Sequence, residues 1–184
     1  MSMNRRNFLK VAGAAGCTLL AANSRPSGAA TVKPAEKDVG EFYGMLNDTT
    51  TSFTEVVDAK LARLHMPTKL VGEYKVIDLV KTNIFAVCLT RREDVGPQAL
   101  ARGGYQNLVK YPLRLTTQVY ELEGSLEWAG RFDFATIMVE GIRDFVPLYN
   151  ATLTAILIPQ LRIESPAILF NRRQVDLLAL VDKK

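Results

Sequence analysis

The chain has 184 residues and a mass of 20.4 kDa, with 48% hydrophobic and 23% charged residues. That composition fits one globular domain or two very small ones and excludes a disordered or collagen-like chain. Two cysteines, Cys17 and Cys88, and one histidine, His65, exclude a disulfide framework, a thiolate zinc cluster, an all-cysteine iron–sulfur site and any centre built on two imidazoles. The formal charge is +4.

Residues 1–30 have the layout of an export signal: a basic stretch ending at Lys10, a short apolar stretch from Val11 to Ala22, and small residues at Ser27-Gly28-Ala29-Ala30. The apolar stretch is too short to span a bilayer, which needs about 20 residues. Arg5, Arg6, Phe8, Leu9 and Lys10 resemble the recognition motif of a twin-arginine leader, with Asn4 where Ser or Thr is commoner. The resemblance implies export to the periplasm of an already folded protein, with cleavage expected after Ala29 or Ala30. Ala14-Ala15-Gly16-Cys17 has the small residues of a lipoprotein box without its Leu, which argues against a lipid anchor at Cys17.

The leader carries Arg5, Arg6, Lys10 and Arg25 and no acid. Taking these four from the 23 basic residues leaves 19, against 19 acidic. A neutral mature chain has no electrostatic case for nucleic acid or an anionic membrane. Only Cys88 would remain, inside the apolar run Ile84–Leu89, as a buried structural thiol.

Residues 31–49 read as a linker and 50–184 as a single β-rich domain. Within the linker region, "Gly-Met-Leu-Asn-Asp-Thr-Thr" (44–50) resembles the opening of exported four-cluster ferredoxin-like subunits. In that family a Cys-x-x-Cys-x-x-Cys run follows; here Ser52, Phe53, Thr54 and Glu55 follow, so cluster-borne electron transfer does not carry over. The resemblance hints at redox-complex neighbours. Over 50–64, Phe53, Val56, Val57, Leu61 and Leu64 have helical spacing, Ser52 and Glu55 form a capping box, and His65-Met66-Pro67 ends the helix. His65 reads as a polar helix end.

From Lys69 the period changes. Leu70–Asp78 and Asn83–Thr90 are strand-like about a turn at Lys81-Thr82-Asn83. Gln98–Val109 reads as a short helix followed by a turn at Gly103-Gly104. Leu113–Glu123 reads as one long alternating strand, with a bulge or bend at Gly124. Asp133 to Gly141 reads as a short helix, N-capped by Asp133 and C-capped by Gly141. Asp144–Leu157, Leu161–Glu164, Ala167–Phe170 and Val175–Val181 are further strands, with Asn150 at a bulge or turn and Asn171-Arg172-Arg173 as a hairpin turn. The fold class is therefore mainly β (α+β): a small, bent, antiparallel barrel-like domain with an N-terminal helix and one short inserted helix. Residues 145–153 and 167–178 resemble small bacterial Sm-like β-domains, which implies assembly through edge strands.

No phosphate-binding loop or nucleophile elbow is present. Glu121 and Glu123 lie two apart on one strand face and read as a solvated face. Trp128, Arg131 and Phe132, with Arg172 and Arg173, are the candidate ligand or partner surface. No catalytic, metal or cofactor residue is assigned and no cofactor is expected. The expected function is that of an exported, non-catalytic accessory or structural subunit of a periplasmic, redox or envelope complex. Its partner is another protein or a second copy. The alternatives are a small-ligand or sensor domain around Trp128 and, from the export route alone, a cofactor enzyme.

Overall fold

A computed structural model of the chain describes residues 9–13, 17–24, 42–96 and 108–181. Ten strands form one antiparallel sheet: β1 (Leu9–Gly13), β2 (Cys17–Ser24), β3 (Phe53–Arg63), β4 (Met66–Val80), β5 (Ile84–Leu89), β6 (Leu108–Thr117), β7 (Tyr120–Ala129), β8 (Phe145–Ala155), β9 (Ile158–Asn171) and β10 (Val175–Leu180). Among the described residues two short helices accompany them, α1 (Phe42–Leu46) and α2 (Phe134–Met138). The protein is thus mainly β, as composition and pattern imply, but the sheet stays open and does not close into a barrel. Among the described residues no helix is long and apolar enough to cross a membrane, which says nothing of strands.

The strand order is β10-β6-β7-β8-β9-β5-β1-β2-β3-β4. It consists of one five-strand order used twice, because in each half the last strand lies beside the first. The third strands, β3 and β8, are both 11 residues long and begin with Phe53 and Phe145. At the sixth position of each stand Asp58 and Asn150, the two non-glycine residues with positive φ among those described, at 54° and 47°. Each is followed by a buried alanine, Ala59 or Ala151. A two-residue turn leads into β4 and β9, whose second residues are Pro67 and Pro159. Those strands end in three-residue 3-10 turns, Lys81–Asn83 and Arg172–Gln174, and six-residue strands follow.

The halves join where β5 pairs with β9, with Ala86 opposite Phe170, Val87 opposite Leu169, Cys88 opposite Ile168 and Leu89 opposite Ala167. All eight are buried. Alternate side chains of β5, β8 and β9 enter two apolar clusters, one holding Tyr43, Ile84, Val87, Phe145 and Leu169, the other Phe85, Cys88, Leu148, Ile168 and Phe170. A strand covered on both faces reads as a continuous apolar run, as Ile84–Leu89 does. Buried polar side chains close the ends of the seam. The Ser165 hydroxyl lies 2.6 Å from the carbonyls of Leu89 and Ala167, and Asn171 Nδ2 donates to the carbonyl of Ile84 at 3.1 Å. Asn47, just after α1, clamps the second half: its Nδ2 donates to the carbonyl of Phe145 at 3.0 Å and its Oδ1 accepts from the Phe145 N–H at 2.8 Å.

Several expectations change. The helix expected over 50–64 is strand β3. The left-handed residue Asp58 and the register shifts at Leu61–Arg63 move the buried face out of strict alternation, so Val56, Ala59 and Ala62 are buried three apart. A twice-irregular strand thus copies helical spacing. Lys60 pairs across strands with Glu73 at 2.9 Å, and His65, expected at the helix end, is an exposed turn residue. Residues 42–46, placed in the linker by composition, form α1 and bury Phe42, Tyr43 and Leu46.

The run Leu113–Glu123 is two strands, because Thr117 builds a turn without glycine or proline: its hydroxyl accepts from the N–H of Tyr120 at 2.9 Å and donates to the Tyr120 carbonyl. Residues 161–170, read as two strands, belong to the single β9, since Pro166 falls opposite the kink at Asn150, where its missing N–H costs no regular pair. The Asn171–Arg173 turn is not a hairpin, because β10 pairs with β6 rather than with β9. Asp133 does cap α2, accepting from the Ala135 N–H at 3.1 Å, but the helix ends at Met138, before Gly141. Gly103-Gly104 and most of 98–109 lie outside the described residues, as do Arg5, Arg6, Phe8 and the cleavage region. Leu9 and Lys10 of the expected leader motif stand in β1, and the apolar stretch from Val11 to Ala22 supplies much of β1 and β2, between β5 and β3.

The bend expected at Gly124 is present, with the β7–β8 register shifting between Glu123 and Ser125. A Cβ on Gly124 would lie 2.8 Å from Ala151 Cβ and 2.8 Å from Leu148 Cγ, both buried. Gly124→Ala is therefore expected to cost about 1–3 kcal/mol through overpacking, measured as a lowered urea midpoint at unchanged slope.

Candidate functional site: two open sheet edges

Among the described residues the sheet ends in β4 on one side and β10 on the other, and each leaves its outer row of backbone groups unpaired. Native edges are usually blunted with charges, prolines or bulges. Here Val76–Val80 of β4 carries one charge, Asp78, and Leu177–Leu180 of β10 carries none. Val76 is 52% exposed, Leu177 53% and Leu180 48%, and Leu70, Val71, Tyr74 and Val80 of β4 are exposed as well. Large apolar side chains beside open backbone at both ends of one sheet form the feature best suited to recognising another chain.

The candidate surface read from the sequence divides in two. Trp128, near the end of β7, and Phe132 pack against the second apolar cluster. Phe132 tilts onto Tyr111 with ring centroids 5.4 Å apart, and the Tyr111 hydroxyl donates to the Gly130 carbonyl at 2.6 Å. These aromatics do the work of packing, and Arg131 beside them is exposed.

Arg172 and Arg173 meet instead at Asp144. Arg173 Nε donates to Asp144 Oδ1 at 2.7 Å, whereas Arg172 Nη2 stands 3.7 Å from the same oxygen. The expectation of two exposed arginines holds only for Arg173. The Arg172 side chain is 9% exposed, and its buried Nε and Nη1 have no hydrogen-bond partner. Gly141 lets the loop close over the guanidinium, since a Cβ there would lie 2.8 Å from Nη1.

Glu121 and Glu123 share Arg114, at 2.9 and 3.4 Å, on an open face. The hydrogen bond from Arg114 to Glu121, followed by the two carboxylate charges, raises the Arg114 pKa. The equivalent of Arg172 in the first half is Lys81, the first residue of its 3-10 turn. Its Nζ donates to the Asp48 carbonyl at 2.8 Å and to Thr51 Oγ1 at 3.1 Å. Burial pushes the Lys81 amine below its ordinary pKa, with nearby Asp48 pulling the other way.

Sequence reasoning expected association through edge strands but did not place them, because which strands lie at the edges is a property of strand order. It also missed the cluster around Glu127, a carboxylate 7% exposed that pairs with Arg92 at 2.5 Å and lies 3.8 Å from Lys110. The Arg92 guanidinium stacks over the Tyr149 ring at 4.1 Å and so ties the turn after β5 to β7 and β8. Among the described residues no group of three His, Cys, Asp or Glu is placed to hold a metal ion.

Compared with protein-family models, curated proteins and solved structures, the chain gives no match.

A buried guanidinium with two donors unpaired among the described residues weakens a fold, and because Asp144 keeps its bond to Arg173, a shape-filling apolar chain in place of Arg172 strands no charge. Arg172→Met is expected to stabilise the protein by about 1 kcal/mol in urea denaturation. A loss of stability instead would mean that the guanidinium has a partner that this arrangement does not reveal.

Proposed function

We propose that this chain is an exported, non-catalytic protein that works by association, as an accessory or structural subunit of a periplasmic assembly of the redox or envelope kind. The observation that carries the proposal is the pair of open, apolar edges on β4 and β10. The twin-arginine resemblance at Arg5, Arg6, Phe8, Leu9 and Lys10 supports the route, and the Sm-like resemblance of the C-terminal part supports association through strands. The packing of Trp128 and Phe132 favours the association reading over a ligand pocket there.

Export with cleavage has a physical price in this fold. Loss of residues 1–29 or 1–30 would remove β1 and β2 and leave β5 and β3 about 14 Å apart, three strand spacings. The mature sheet would then expose two further edges, or its halves would close up. The precursor and the cleaved chain therefore differ in structure as well as in length.

The test is cell fractionation of the native host followed by intact mass measurement and capture of co-purifying proteins. A chain starting at Ala30 or Thr31 is expected in the periplasm, in an assembly larger than the monomer. Arg5→Lys with Arg6→Lys is expected to hold the uncleaved precursor in the cytoplasm. An uncleaved wild-type chain in the cytoplasm would overturn the export half of the proposal, and a bare periplasmic monomer the association half.

A further inference from the structure

We propose that copies of this chain join head to tail, with β10 of one copy pairing antiparallel with β4 of the next and so repeating between molecules the β5–β9 seam found within each one. This deepens the association reading and rests on it, naming a second copy as a partner. The argument comes from the internal repeat. In the second half the fourth strand, β9, gives its outer edge to the last strand of the first half, β5. The corresponding strands are β4 and β10, and those are the two strands whose outer edges are open. The molecule therefore ends in one copy of each half of a contact that it already makes internally. An interface of this kind is heterologous: each copy uses one edge as donor and the other as acceptor, so the contact propagates until it closes.

The repeat also sets the register. The six residues of β5 and the six of β10 each follow a three-residue 3-10 turn, which places Ala86 with Leu177 and Leu89 with Leu180. The last residues of β4 and β9, Val80 and Asn171, each precede their turn directly, which places Leu79 with Phe170 and Val76 with Ala167. Carrying the β5–β9 pairs across gives Leu177 opposite Leu79, Leu178 opposite Asp78, Ala179 opposite Ile77 and Leu180 opposite Val76. Three of the four pairs are apolar on both sides, and the strongly exposed Leu177, Leu180 and Val76 all fall within them. β4 lacks the polar closures of the internal seam: Asn171 corresponds to Val80, and Tyr74 stands near the position of Ser165. The seam between copies is therefore weaker than the seam within one and comes apart on dilution.

The test uses the full chain, its variants checked for folding by circular dichroism, with assembly read by native mass spectrometry and light scattering. Wild type is expected to form a species larger than the monomer. Val76→Lys and Leu180→Lys, each half-exposed on its own edge, are each expected to weaken assembly at least tenfold. The double variant Val76→Lys with Leu180→Lys places like charges opposite each other and is expected to be monomeric. Val76→Lys with Leu180→Glu places opposite charges there and is expected to assemble again.

A mixture of a β4-blocked and a β10-blocked chain is expected to stop at a one-to-one dimer, since only one complementary pair of edges stays open. A Leu180→Lys chain that assembles like wild type would overturn the proposal in favour of β4 pairing with itself. Wild type that is monomeric when pure but held in a hetero-assembly in its host would overturn the proposal and leave the association reading standing. A monomer in both settings would overturn both.

Discussion

The structure depends on one contact, the seam of β5 on β9. Its eight paired residues are buried, and the strands send alternate side chains into both apolar clusters, so neither half has a complete core without the other. This is why Ile84–Leu89 is apolar at every position, and why the polar groups that do enter the seam, Ser165 and Asn171, spend their hydrogen bonds on its backbone. Asn47 adds a clamp from the far side by holding the first residue of β8. Two marginal five-strand units thereby become one domain of ordinary size.

A duplicated architecture carries its own edge problem. Placing two five-strand orders side by side satisfies one pair of edges and leaves the matching pair at the ends. Pro67, Lys69, Glu73, Lys75 and Asp78 on β4 and Asp176 on β10 blunt those ends only in part, since Val76, Leu177 and Leu180 stand in water. The N-terminal strands add a second tension. β1 and β2 stand between β5 and β3, yet on the proposed reading they come from residues that also carry the export address. A segment that fills the sheet before export and leaves it afterwards would couple the covalent state of the chain to the set of edges it presents.

Much of the fold was legible in the residues themselves. β-branched and aromatic runs gave the mainly β class, Lys81–Asn83 announced its turn, and Asp133, Gly124 and Asn150 each marked the local feature found there. The failures share a cause, which is that irregular strands break period two. Asp58 moved the buried face of β3 into helical spacing, and Thr117 made a turn from its hydroxyl in a stretch with no turn residue. The repeat was illegible because its halves agree in geometry more than in residues: Asp58 matches Asn150, and Lys81 matches Arg172. Of the candidate surface, Arg131 and Arg173 are exposed, but Trp128 and Phe132 serve packing and Arg172 is covered. Edge strands were expected, but which strands they are could not be seen before the strand order was known.

The central claim is that β4 and β10 are paired between copies of the full chain. It is tested most directly by amide hydrogen exchange of the full chain, resolved residue by residue by nuclear magnetic resonance. A strand with one neighbour protects alternate amides, whereas a strand with two protects successive ones. Protection at successive amides from Val76 to Leu79 and from Leu177 to Leu180, approaching that of β5 and β9, is the expected result. Protection at alternate amides only, on both strands and at every concentration reached, would show that the edges stay open and would contradict the claim.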